Sequence, residues 1–350
     1  MKNNINVLVT GGSGYIAAYI IAQLLKEGYS VRTTVRSLKR KDEVLEALGE
    51  LGYDNAKLQF FEADLTKDMG WDAAMADITY VLHVASPLPL TMPENENELI
   101  IPAKEGTLRI LRAAKKAGVK RVVMTSAFGA AGMGYTAAKN DYVFTEKDWS
   151  NLAPGSKLNA YYKSKTLAEK SAWDFIRKEG GNLELSTILP VAVLGPVLGK
   201  KVTGTNQLIA MMLSGHMPGF FDIYIPVVDV RDLAKAHILA LETPGAAGER
   251  FIISNRQSLS MKQIGMILKA HLGDAAKKIP NRSIPSFILR FAALFNTLAR
   301  DTVSDLGVNR RMSSAKALEI LHWKPDYNVE DTIVTVGKSI IAIPSLDTTV

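Results

Sequence analysis

Near the start of the chain a short apolar run, INVLVT, stops at glycines and passes straight into an amphipathic stretch, so that residues 7 to 17 read VLVTGGSGYIA. No other stretch constrains the fold as much. A strand ending at Gly11 and a helix opening after Gly14 turn backbone N–H groups and the positive end of a helix toward one point, where a pyrophosphate can be held. Gly11 suits the tight turn and Gly14 lets phosphates approach. Ala17 stands where a third glycine is usual, still small enough for close helix packing. Ile16, Tyr19, Ile20, Gln23 and Leu24 follow at helical spacing, with Gly28 as the stop. A lone glycine pattern is often only a turn, but the flanking strand and helix favour a dinucleotide site.

The alternation continues. SVRTTVR, KLQFFEADL, YVLHVAS, KRVVMTSA and ELSTILPVAVLGP read as further strands, and stretches such as EGTLRILRAAKKAG between them read as helices. Strands that are apolar on both faces and separated by helices predict an α/β fold with a Rossmann-type, doubly wound parallel sheet covered on both sides. After about residue 195 the pattern loosens. The expected organisation is a nucleotide-binding domain over 1–190 with part of 220–255, and a smaller, discontinuous C-terminal substrate domain over 191–220 and 256–345.

Ligands in such sheets bind at the carboxyl ends of the strands, so the strand ends carry the candidate site. The second strand ends in TTVRSLKRKDE, with Arg36 where an NAD site usually has an acid, and with Lys39 and Arg40 close behind. A guanidinium there can pair a 2′-phosphate through two parallel hydrogen bonds, which predicts NADP; a solvated basic loop is the alternative. After the third strand, Asp64 can accept the adenine amino group and Leu65 can cover the ring. The fourth strand ends in HVASP, whose small Val84, Ala85, Ser86 and Pro87 let a ribose lie against the backbone. Each of these alone would be an ordinary strand terminus.

Residues 159 to 169, NAYYKSKTLAE, raise the question of catalysis. On a helix, Tyr161 stands over Lys165 and Tyr162 over Thr166, so only Tyr161 has a cation one turn away. An ammonium near a phenol favours the phenolate, so the pair can carry an acid or base, although such pairs also occur on solvated helix faces.

Composition closes off other classes. The 350 residues are 47% hydrophobic and 22% charged, enough for a sizeable core, and contain no cysteine, which excludes disulfides, thiolate metal sites and a cysteine nucleophile and suits a cytoplasmic protein. The net charge of +7 comes from scattered pairs such as Lys115-Lys116 and Arg310-Arg311 rather than a long run with interleaved aromatics, so no nucleic-acid partner is expected. Five histidines show no i, i+4 pair, so no metal is expected. The start, MKNNINVLVTGG, is too short in its apolar run for a signal peptide, and PSFILRFAALF at 285–295 is broken by Arg290. That stretch is well short of the roughly 20 residues a span needs, so no membrane partner is expected.

In this order TGGSGYIA, TVR, ADL, HVASP, TSAFGA, YYKSKTLAEKSAWDF and LPVAVLGP resemble the extended short-chain dehydrogenases/reductases. The branch they most resemble is the dihydroflavonol reductase-like one, which includes microbial NADPH-dependent aldehyde and ketone reductases. The resemblance runs through the tail AKALEILHWKP and so covers essentially the whole chain. It implies NADP held by Gly11, Gly14, Tyr15, Ile16, Thr125 and the strand-end residues above, with Pro190 and Val193 against the nicotinamide. It also implies Tyr161 as general acid, with Lys165 lowering its pKa and binding the ribose, and Tyr162 as a packing residue. The branch usually has TSS at the end of the fifth strand, its second serine bonding the substrate oxygen, whereas here Thr125-Ser126 is followed by Ala127. Ser126 is the expected replacement. A small carbonyl substrate is implied, and Phe128, Met133, Met211, Met212 and Phe220 suggest an apolar one, acted on by a monomer or homodimer. A nucleotide-sugar epimerase or dehydratase of the same fold would need an arginine cluster for a second diphosphate, and a non-enzymatic NADP-sensing regulator would have no need of the Tyr/Lys pair.

Overall fold

The computed structural model describes residues 2–53, 58–87, 93, 95–135, 141–156, 158–255, 258–295, 303 and 305–344. The first strand, β1 (Asn6–Val9), leads through the glycine turn into α1 (Tyr15–Lys26), followed by β2 (Ser30–Val35), α2 (Lys41–Glu50) and β3 (Leu58–Glu62). The chain then runs through α3 (Trp71–Met75), β4 (Tyr80–His83), α4 (Asn97–Lys116) and β5 (Arg121–Thr125). After a two-residue strand β6 (Val143–Phe144) come α5 (Ala160–Glu179) and β7 (Glu184–Pro190). The remainder is β8 (Ala192–Leu194), α6 (Asn206–Ser214), β9 (Tyr224–Asp229), α7 (Val230–Glu242), β10 (Arg250–Ile253), β11 (Ser258–Ser260), α8 (Met261–Leu272), α9 (Ser286–Ala292), β12 (Arg311–Met312), α10 (Ala315–Leu321) and α11 (Val329–Ile341).

Seven strands form one parallel sheet in the order β10-β7-β5-β4-β1-β2-β3, the doubly wound Rossmann-type arrangement. Successive side chains of a strand point to opposite faces, and here both faces are dry. Val7 and Val9 enter the core shared with α1 and α7, whereas Leu8 enters the core shared with α4 and α5; Val123 and its neighbours Val122 and Met124 divide in the same way. This two-sided burial is why these strands read as continuous apolar runs. From β1 the chain winds one way to β2 and β3, and from β4 the other way to β5, β7 and β10. The turns at 10–14 and 83–87 therefore meet where the strand order reverses, the place such sheets bind ligands.

ELSTILPVAVLGP is two strands rather than one. Proline lacks an amide proton and sits poorly inside a ladder, and β7 ends at Pro190. The chain then joins a different, three-stranded sheet ordered β11-β9-β8. That sheet has its own core, in which Leu194, Val227 and Leu259 pack with Met212, Ile264, Ile333 and Val336 of α6, α8 and α11. No helix among the described residues is long and apolar enough to cross a membrane.

Candidate active site

The glycine turn has little room for side chains. Gly11 has φ +74°, and a Cβ there would lie 2.9 Å from that of Ala85; one on Gly12 would lie 2.2 Å from Thr33 Oγ1. Gly14 is the N-cap of α1, with no side chain capping the helix, so the first turn keeps its amides for an anion. These features fit a pyrophosphate. Tyr15 and Ile16 pack inward: the Tyr15 ring meets Tyr19 edge to face, and its buried hydroxyl lies beside Gly195. What they present to the turn is backbone.

At the end of β2, Arg36 and Lys39 are exposed and make no ion pair among the described residues, whereas Arg40 pairs with Glu43 at 2.8 Å. Asp64 accepts both the Thr66 amide and the Thr66 hydroxyl on Oδ1, each at 2.8 Å. That amide first, then the hydroxyl and the Arg36 charge, hold the Asp64 carboxyl below its ordinary value. Among the described residues its second oxygen accepts no hydrogen bond.

Between the ends of β4 and β5 lies a cleft lined by Leu65, His83, Ala85, Ser86, Pro87, Thr125 and Lys165, among others. Asn159 caps α5 by accepting the Tyr162 amide, which fixes the helix register and stands Tyr161 one turn before Lys165. Lys165 is buried; its ammonium lies 3.5 Å from the Thr125 carbonyl, and burial pushes it down to about 8 against the opposing pull of Glu169. Burial also pushes the Tyr161 phenol up to about 12. In this arrangement the two groups move toward neutrality, and the ammonium exerts no resolved lowering on the phenol. Tyr162 meets Tyr161 edge to face and fills the space that a side chain at Gly129 would need, a packing position. Thr125 lines the cleft while its hydroxyl lies 2.7 Å from His237 Nε2. Pro190 is buried at the end of β7, and Val193 is half-buried on β8.

Two expectations are corrected. Ser126 does not supply a donor to the cleft: it is buried and its hydroxyl donates to Glu169 Oε2 at 2.6 Å. Strand alternation sends the Thr125 hydroxyl toward His237 of α7 and turns Ser126 to the α5 face, but there the carboxylate of Glu169, one turn beyond Lys165, takes its proton. Nor do the apolar residues at 128, 133, 211, 212 and 220 stand exposed to a substrate, Met211 being half-buried on α6. Phe128 and Met133 belong to the large core and Met212 and Phe220 to the smaller one, all buried. They say nothing of substrate polarity.

The strand-end reading missed three residues that organise the site, Thr10, His83 and Glu169. The bonds that tie Thr10 to His83 and Ala85, and Glu169 to Ser126 and Arg250, join residues 43 to 81 positions apart, which local pattern does not show.

Residues 7–254 match the model of the NAD dependent epimerase/dehydratase family. The chain is 36% identical over 290 residues to a putative NADPH-dependent methylglyoxal reductase of Candida albicans, covering 77% of this chain and 84% of that one. It is 32% identical over 255 residues to dihydroflavonol 4-reductase of Zea mays, covering 71% and 70%. A solved yeast methylglyoxal/isovaleraldehyde reductase complexed with NADPH superposes with a TM-score of 0.78 at 27% identity, over 96% of this chain and 98% of that one.

Proposed function

Because the chain belongs to the NAD dependent epimerase/dehydratase family, in its extended short-chain dehydrogenase/reductase form, we propose that this NADP-dependent oxidoreductase is a carbonyl reductase that converts small aldehydes or ketones to alcohols, with Tyr161 as its general acid. The observation that carries the reading is that Lys165 lines the cleft at the switch point of the sheet while Tyr161 stands one turn earlier on the same helix. When bound, NADPH would supply the hydride for the carbonyl carbon. The turn at 11–14 would hold the pyrophosphate on the amides of α1, Arg36 and Lys39 would hold the 2′-phosphate, and Asp64 and Leu65 would hold the adenine. Pro190 and Val193 would border the nicotinamide. Tyr161 donates its proton to the carbonyl oxygen, and burial, which keeps the phenol protonated up to about 12, suits it to that role. Lys165 would bind the ribose hydroxyls and, in its ammonium form, would favour the phenolate that forms as the proton leaves. The part of the chain at 191–220 and 256–345 is assigned to substrate selection.

The test is a panel of aldehydes and ketones offered with NADPH, followed by nucleotide absorbance. Turnover by the parent protein and none by Tyr161→Phe, with NADPH affinity within about threefold, is expected. Binding of NADPH without turnover of any carbonyl would overturn the reading.

A further inference from the structure

Thr10 Oγ1 accepts two amide protons, from Val84 at 3.1 Å and from Ala85 at 3.0 Å. A hydroxyl oxygen has two lone pairs, so both are occupied and its own proton is left to donate. The acceptor is His83 Nδ1, 3.0 Å away. Nδ1 is thus bare and the ring proton sits on Nε2. Burial first, and then the Lys165 charge, hold this imidazole down at about 3, so the ring is neutral at any working pH. The Thr10 contact uses one edge only. The other belongs to a ring that lines the cleft together with Lys165, Ala85, Ser86 and Pro87. Among the described residues Nε2 has no acceptor, yet it is not sealed in as a buried unbonded atom. A fixed N–H that opens to a cleft without a protein acceptor takes its acceptor from water or from a ligand that replaces it.

We infer that the Nε2–H of His83 is a cofactor-positioning donor, giving a hydrogen bond to an oxygen of the nicotinamide nucleoside of NADP beside Lys165. The inference rests on the reductase reading above. It gives His83 two separable tasks, tying the 84–87 turn to β1 through Nδ1 and orienting the cofactor through Nε2.

Amide substitutions separate the tasks, because the oxygen of asparagine falls near Nδ1 and the nitrogen of glutamine near Nε2. His83→Asn keeps the acceptor for Thr10 and loses the cleft donor; His83→Gln does the reverse; His83→Leu loses both. NADPH affinity by fluorescence titration and the melting temperature of the cofactor-free protein are measured for all four proteins. His83→Asn should melt close to the parent yet bind NADPH about tenfold more weakly, the loss of one hydrogen bond of about 1.4 kcal/mol. His83→Gln should melt lower yet bind within about threefold of the parent. Parent-like affinity in His83→Asn, or affinity that merely follows melting temperature across the series, overturns the inference and leaves the reductase reading intact. A parent protein that does not bind NADPH overturns both.

Discussion

An arginine at the end of a second strand is chemically decisive because it replaces the acid that would take ribose hydroxyls by a fork that takes a phosphate. Arg36 is exposed, makes no ion pair among the described residues, and stands close enough to Asp64 for its charge to act on that carboxyl. A charge-assisted bond contributes about 1.5 to 3 kcal/mol. Arg36→Ala should therefore weaken NADPH about ten- to hundredfold and leave NADH unchanged, which calorimetric titration of both nucleotides checks. Equal weakening of the two would remove the 2′-phosphate role from this residue. Tyr161 was legible at the same scale, since only one of the paired tyrosines has a lysine four residues on. Ser126 was not, because a hydroxyl's direction depends on which acceptor the folded chain brings to it.

Among elements, that acceptor is the hub. Glu169 Oε1 accepts from the Thr187 hydroxyl at 2.8 Å and from Arg250 Nε at 2.7 Å, while Oε2 accepts from Ser126 at 2.6 Å. Arg250 in turn donates to the carbonyls of Glu146 and Asp148 and stacks 3.8 Å over the Trp149 ring. One carboxylate, one turn after Lys165, thus joins α5 to β7, β10 and the end of β5. Removing a donor from a buried charged acceptor costs about 1 to 3 kcal/mol, so Ser126→Ala should lower the unfolding free energy by that amount and change turnover less than about threefold. Ala127→Ser restores a hydroxyl where the resemblance expects one and should raise turnover by about tenfold or more, since an oriented donor to a developing oxyanion is typically worth roughly 10²- to 10³-fold. Chemical denaturation and steady-state rates decide between the two positions. A loss of roughly 10²-fold in turnover from Ser126→Ala at unchanged stability would return the catalytic hydroxyl to that residue.

Across the whole molecule, two buried histidines couple the fold to pH. His83 is pushed down to about 3 and His237, whose Nδ1 faces the Leu233 carbonyl, down to about 4, both chiefly by burial. An unfolded histidine titrates near 6.5. Depressed folded values mean that the unfolded state binds protons first, so the stability these groups contribute is complete above about 6.5 and is lost as pH falls toward the folded values. At pH 5 each costs about 2 kcal/mol relative to neutral pH. Asp232, pushed up to about 6 by burial, works in the opposite sense, since its folded form gains a proton before the unfolded form does. The histidine effect is therefore read by comparing proteins: urea unfolding at pH 7.5 and pH 5 should show a loss smaller by about 2 kcal/mol in His83→Asn than in the parent. An equal loss in both would mean that His83 is already charged in the folded state.

The sequence by itself determined whatever depends on neighbours along the chain. The glycine turn between β1 and α1, the alternating elements, Arg36 at a strand end and Tyr161 over Lys165 are set by spacings of a few residues, and local periodicity carries them. Only the tertiary structure decided which distant groups share a hydrogen bond. It turned Ser126 toward Glu169, put Phe128 and Met212 into cores, broke the strand at Pro190 into two sheets, and seated His83 between Thr10 and the cleft of Lys165. A side chain's role at a strand end depends on the face it takes and on the partner that face meets, and that partner is chosen by packing across the sheet rather than by the order of residues.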